Sequence, residues 1–212
     1  MSSESADPGK LLQETLVLAR GQFALAVAAI TVMVAIDTAS DWLGRNGSAL
    51  TLLSLPVTLL LQYEITLASL AQRGLAERRG RRRLWALLGL SLLSGLGILL
   101  GFALLILPGL YLLVRWSLAV PILIAEDAGP GEALSGSGDE ISGRFWPVAG
   151  LFLLLYLPFV AGAALNVAAP RTLPLDAVAN ILINLSLVGA WFGAVAVYAD
   201  GKTGDRLADV FA

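Results

Sequence analysis

The feature that most limits this chain is a succession of six long apolar runs: Gly21 to Ser40, Ala49 to Ala71, Leu84 to Leu107, Leu110 to Ala125, Phe145 to Val167, and Ala177 to Ala199. About 20 apolar residues in a helix cover the roughly 30 Å hydrocarbon core of a bilayer. A segment inside that core must satisfy its own backbone hydrogen bonds, which a helix does. The expected fold is therefore all-α, an integral membrane bundle of six transmembrane helices. The fourth run is the shortest, contains Arg115 and Pro121, and is separated from the third only by Pro108-Gly109. It is either a tilted span or a re-entrant helix, and a tight helical hairpin with the third is the preferred reading.

Before the first run, Leu12, Leu16 and Ala19 recur at helical spacing with Gln13 and Glu14 between them, which predicts an interfacial amphipathic helix between Pro8 and Arg20. The opening MSSESADPGK has no positive charge before Lys10, unlike the basic start of a signal peptide. Residues 1–20 thus form a tail and interfacial helix, 21–199 a membrane domain, and 200–212 a C-terminal tail.

Composition narrows the chemistry. Charged residues make up 14% of the chain, against about 25% in a soluble domain. A net charge of -2 leaves no overall positive excess to neutralise nucleic-acid phosphates, so nucleic acid is not an expected partner. With no histidine and no cysteine, Ser-His and Cys-His nucleophile pairs, His-ligated zinc or haem, iron–sulfur clusters and disulfides are excluded together. No nucleophile, base and oxyanion set can be assembled, so a non-catalytic protein without a cofactor is expected.

Positive charge in short loops stays on the cytoplasmic side of a membrane. Arg73, Arg78, Arg79, Arg81, Arg82 and Arg83 cluster between runs two and three, which makes that loop cytoplasmic and puts both termini on the same side. Lys10, Arg20, Arg144, Lys202 and Arg206 then fall inside as well, with only Arg45 and Arg171 outside. The arginine loop is expected to contact either the acidic segment Glu126 to Arg144, which faces the same compartment, or anionic lipid headgroups, at about 1 kcal/mol for each basic residue. Trp42, Trp85 and Tyr198, near the ends of runs, fit interfacial anchors.

Polar residues within the runs can be ranked by depth at 1.5 Å per residue. Asp37 falls about 24 Å from the inner start of the first run, and Arg115 roughly 8 Å from the outer start of the fourth. Asn180 and Asn184, one turn apart, fall in the same outer layer. Such a layer is either a polar cavity serving an ion or proton route or a snorkelling and helix-linking set, and the second is preferred. Glu64 lies deeper, about 22 Å from the outer end of its run. Ser91, Ser94, Arg82 and Arg83 are its expected partners, and it is either an interhelical tie or a proton relay.

Ser94, Gly97 and Gly101 share one helix face with a GxxxG spacing that permits close backbone approach. Within the chain is the favoured use, a second copy the other. The segment Glu126 to Arg144 carries Glu126, Asp127, Glu132, Asp139 and Glu140. It lacks the EF-hand spacing, so no metal is expected; a solvated helix with Ser137 and Glu140 in capping relation is the default.

The run from Leu107 to Trp146 carries Pro108-Gly109-Leu110-Tyr111, Arg115, Pro121, Glu126, Glu132-Ala133-Leu134-Ser135, Ser137 and then Phe145-Trp146. In these pieces it resembles the YciC-like bacterial multipass proteins, related to the membrane domain attached to some glycerophosphodiester phosphodiesterases. Where such proteins usually have basic residues around the serine-containing helix, this chain has Gly136, Gly138, Asp139 and Glu140. The resemblance implies a helical membrane fold in a bacterial inner membrane and supplies no activity. The leading expectation is a non-catalytic protein that organises lipids or partner membrane proteins, with a homo-oligomer as one form of partner. The alternative is a small transporter or channel using Glu64 and the outer polar layer.

Overall fold

The computed structural model describes residues 7–44, 48–77, 83–168, 170 and 172–210. They form helices α1 (Pro8–Gly21), α2 (Phe23–Leu43), α3 (Ser48–Gln72), α4 (Leu84–Leu104), α5 (Ile106–Arg115), α6 (Ala119–Ala125), α7 (Pro130–Ser142), α8 (Phe145–Ala168) and α9 (Leu173–Val210), with no strand among the described residues. Six stretches are long and apolar enough to cross a membrane: α2, most of α3, α4, α5 with α6, α8, and α9. The chain is a multipass membrane protein built as an all-α bundle.

Local chemistry sets the helix starts. Pro8 opens α1, where a missing N–H costs nothing, and the Asp7 carboxylate accepts a hydrogen bond from the Gly9 N–H at 3.1 Å. The buried face of α1 is Leu11, Thr15 and Leu18, while Leu16 is exposed. The stripe expected from Leu12, Leu16 and Ala19 is thus rotated, because α1 docks on α8 and α9 and presents to them the face on which the small Thr15 sits.

The turn between the third and fourth spans falls at Leu105, which is extended, and not at Pro108-Gly109. Pro108 belongs to the first turn of α5, where its lost N–H has no helical partner anyway. The fourth span accordingly runs from Ile106 to Ala125, begins four residues earlier than expected, and is interrupted after Arg115.

The centre of the bundle is α9. Val188, Phe192, Val195, Val197 and their neighbours are buried, and α1, α2, α3, α6 and α8 all pack on this helix. Two local features join α8 to it closely. A Cβ at Gly162 would lie 2.7 Å from the Ala179 carbonyl oxygen, so only glycine admits this approach. Beyond Pro158, the Phe159 N–H donates to Ser186 Oγ at 2.8 Å, a polar remedy for a helix disturbed by proline within the membrane. With 38 residues, α9 is about 57 Å long and leaves the apolar core. The helix therefore continues to Val210 through the segment read from sequence as a tail beginning at residue 200.

The acidic segment also departs from expectation. Instead of a solvated helix, α7 buries Ala133, Leu134, Ser137, Gly138 and Ile141 against α4, α5 and α6. Ser137 lies in mid-helix and does not cap α7; the Gly129 N–H donates to Glu132 Oε2 at 2.8 Å at the true start. Small residues on one stripe let α7 sink into the bundle, and its acidic side chains are left at the edge.

Candidate functional site

One end of the bundle gathers the charges. Glu126, just beyond α6, accepts hydrogen bonds from Tyr198 Oη at 2.9 Å and pairs with Lys202 Nζ at 2.9 Å. Lys202 also reaches Glu140 at 2.9 Å, and Arg144 bridges Glu140 at 3.6 Å and Asp200 at 3.4 Å. Lys10 meets Asp200 at 3.5 Å, and Arg73 pairs with Glu14. Burial of the Glu126 carboxyl would raise its pKa, but the hydrogen bonds from Lys202 and Tyr198 outweigh that effect and hold it below the usual carboxylate range. Tyr198, expected as an interfacial anchor, is instead 2% exposed, because its hydroxyl serves Glu126. Trp42, Trp85 and Trp146 are exposed at span ends, as suits headgroup anchors.

Within the expected arginine loop, Arg73 and Arg83 are engaged by the protein itself. Arg83 donates to the Ala128 carbonyl at 2.8 Å and pairs with Asp127 at 3.0 Å. Arg78, Arg79, Arg81 and Arg82 lie outside the described residues, as do Arg45 and Arg171. A groove of about 310 Å³ at this end is lined by Lys10, Glu14, Arg73, Asp200, Lys202 and Thr203, among others. Its basic side chains are all held in the ion pairs above.

In the other half of the bundle, two pairs of residues meet across α2 and α9. Asn184 Nδ2 donates to Asp37 Oδ2 at 2.9 Å. One turn away, Asn180 Nδ2 donates to Asp41 Oδ2 at 3.0 Å and to Thr38 Oγ1 at 3.2 Å. Asp37, Asn180 and Asn184 therefore come together, joined by Asp41 and Thr38, which the sequence reading passed over. The signal for Asp41 was available: it stands four residues after Asp37, the same spacing that separates Asn180 from Asn184.

Arg115 does not join this layer. It ends α5, its guanidinium donates to Tyr111 Oη at 3.0 Å, and a Cβ at Gly138 would lie 2.8 Å from its Nε. The longer fourth span puts it about 14 Å from the outer start, and α7 folds back to meet it. The interruption at Trp116 to Leu118 is clamped by Ser137 Oγ, which donates to the Arg115 carbonyl at 2.7 Å and accepts from the Leu118 N–H at 3.1 Å. Non-helical backbone at membrane depth persists only where protein or a cavity satisfies it.

Such a cavity lies beside the break, with a volume of about 240 Å³. It is bounded by Gln62 and Thr66 on α3, Ser91 and Ser94 on α4, Trp116 and Ser117 at the break, and side chains of α8 and α9. Glu64 is half-buried, has an interaction of its own, and is not part of the cavity wall. The face with Gly97 and Gly101 packs on α5 of the same chain. A Cβ at Gly101 would lie 2.9 Å from the Gly109 Cα, and one at Gly97 would lie 2.5 Å from the Trp116 ring. Ser94, on the same face, donates to the Ser91 carbonyl at 3.4 Å.

No family model, curated protein or solved structure matches the chain.

Proposed function

We propose that this chain is a non-catalytic protein of a bacterial inner membrane, with both termini cytoplasmic, which organises anionic lipids around its charged end. The observation that carries this reading is the fixing of both flanks of the arginine loop, Arg73 by Glu14 and Arg83 by Asp127 and the Ala128 carbonyl. The held flanks lie beside the exposed Trp85, an anchor suited to headgroup level, and the sequence between them carries Arg78, Arg79, Arg81 and Arg82. The charge bias of the loops supports the orientation, and the YciC-like pattern from Leu107 to Trp146 supports the bacterial setting. A homo-oligomer formed through Gly97 and Gly101 is disfavoured, because α5 already occupies that face.

The test replaces Arg78, Arg79, Arg81 and Arg82 with glutamine and measures which lipids remain with the purified protein after exchange into mixed anionic and zwitterionic nanodiscs. The expected result is a loss of anionic preference at low salt, shrinking as ionic strength rises. An unchanged preference at low salt refutes the reading.

The broken fourth span and its cavity favour a second reading, a small transporter, since discontinuous helices in the membrane commonly mark substrate sites. Glu64→Gln in liposomes separates the two. Proton-coupled flux that disappears with this substitution while the fold survives supports transport, and no flux from the parent protein under any gradient supports the scaffold.

A further inference from the structure

The cavity beside the broken span has a composition that selects its occupant. Ser91 and Ser94 lie seven and ten residues into α4, and Tyr156 eleven residues into α8. Both helices start at the charged end, so the cavity is about 10 to 16 Å deep from that side. None of the side chains forming its wall is an acid or a base of the Asp, Glu, Lys or Arg type. A charged guest would lose its hydration and find no counter-charge, which is prohibitive at this depth.

The wall nevertheless offers hydrogen bonds. Among the described residues Ser117 Oγ is buried without a hydrogen-bond partner, and the only bond of Ser94 Oγ is a long one of 3.4 Å to the Ser91 carbonyl. Gln62 adds an amide from the opposite helix. A buried hydroxyl without a partner costs free energy that a hydroxylated guest would recover. Trp116, Trp191 and Tyr156 supply flat apolar surfaces around these groups, suited to the C–H face of a small molecule. The volume of about 240 Å³ is well above what a single water needs.

We infer that this cavity binds a small uncharged hydroxylated group with an apolar face, of the kind presented by glycerol and related polyols. The same chemistry is offered by a free polyol from water and by the glycerol end of a neutral lipid from the bilayer. This inference is independent of the arginine loop.

The experiment uses the full chain in nanodiscs with Trp42, Trp85 and Trp146 changed to Phe, so that fluorescence reports on Trp116 and Trp191 alone. Three brominated quenchers are titrated: 3-bromo-1,2-propanediol, a monoacylglycerol brominated on its chain next to the headgroup, and bromoacetate as the charged control. Saturable quenching by either uncharged probe, and none by bromoacetate, is the expected result; saturation by the diol identifies a free polyol and saturation by the monoacylglycerol identifies a lipid. Ser117→Ala should raise the half-saturating concentration about fivefold, and Ala194→Phe, which fills the space, should abolish saturation. Should Ala194→Phe fail to fold, Ser117→Ala still decides. Quenching that never saturates, that is equal for bromoacetate, or that is indifferent to Ser117→Ala shows a cavity holding water only and overturns the inference.

Discussion

Ser137 Oγ donates to the carbonyl of Arg115 at 2.7 Å and accepts from the N–H of Leu118 at 3.1 Å. One hydroxyl from α7 therefore satisfies both sides of the interruption in the fourth span. The clamp explains why a short acidic helix is drawn into an apolar bundle, since no other side chain bonds these two backbone groups among the described residues.

Ser137→Ala should cost about 2 to 6 kcal/mol, because it strands a part-buried carbonyl and a buried N–H at about 1 to 3 kcal/mol each. The control is Ser135→Ala, two residues away on the exposed side of the same helix, which should change stability by no more than about 0.5 kcal/mol. Thermal unfolding of both variants in one detergent checks the difference. Equal melting temperatures would mean that the break is held by something other than Ser137.

The α4–α5 hairpin gives a second contrast within one helix. At Gly101 a Cβ would press on the Gly109 backbone at 2.9 Å, whereas at Gly95 it would meet nothing within 4 Å. Gly101→Ala should therefore destabilise by about 1 to 3 kcal/mol, while Gly95→Ala, gaining helix propensity in open space, should be neutral or slightly stabilising. The measurement is again unfolding in detergent, and a stable Gly101→Ala protein would deny the close approach.

The spans were legible because each needs only length and apolarity, and Phe145–Ala168 differs from its expected end by a single residue. Legibility failed where a contact between elements, not the local pattern, decides the outcome. Counting from Leu110 puts Arg115 in the Asp37 layer, but Pro108 is tolerated in the first helical turn, and this moves the count by four residues. In α7 the acidic residues mask the stripe Ala133, Leu134, Ser137, Gly138 and Ile141, whose helical spacing is visible in the sequence once the helix start is placed at Pro130. The cavity could not be read at all, since Gln62, Ser94, Ser117 and Trp191 are far apart in sequence and each is unremarkable alone.

Glu126 carries a pH prediction. Its folded pKa is depressed because Lys202 and Tyr198 stabilise the carboxylate more than burial penalises it. A group with a depressed folded pKa adds stability above its unfolded value, and that stability is lost as pH falls through the folded value. The melting temperature of the parent should thus exceed that of Glu126→Gln at pH 7, and the gap should close as pH falls below about 4. Melting curves at five or six pH values test this, and a gap that does not narrow as the pH falls would assign the effect to shape instead of charge.

The Asp37–Asn184 hydrogen bond tests the composition of the far polar layer. Asn184 is 1% exposed and donates to both Asp37 Oδ2 and the Asn180 carbonyl at 2.9 Å, so Asn184→Ala alone removes two interactions. A double-mutant cycle with Asp37→Ala isolates the part shared between the two side chains. The expected coupling is about 0.5 to 1.7 kcal/mol, the range seen for polar contacts between membrane helices. The matching cycle of Asn184→Ala with Arg115→Ala should be additive within about 0.3 to 0.5 kcal/mol, because Arg115 is bonded to Tyr111 and packed on α7. Additivity in the first cycle would place Asp37 with the headgroups and water, and coupling in the second would return Arg115 to the layer from which its contacts remove it.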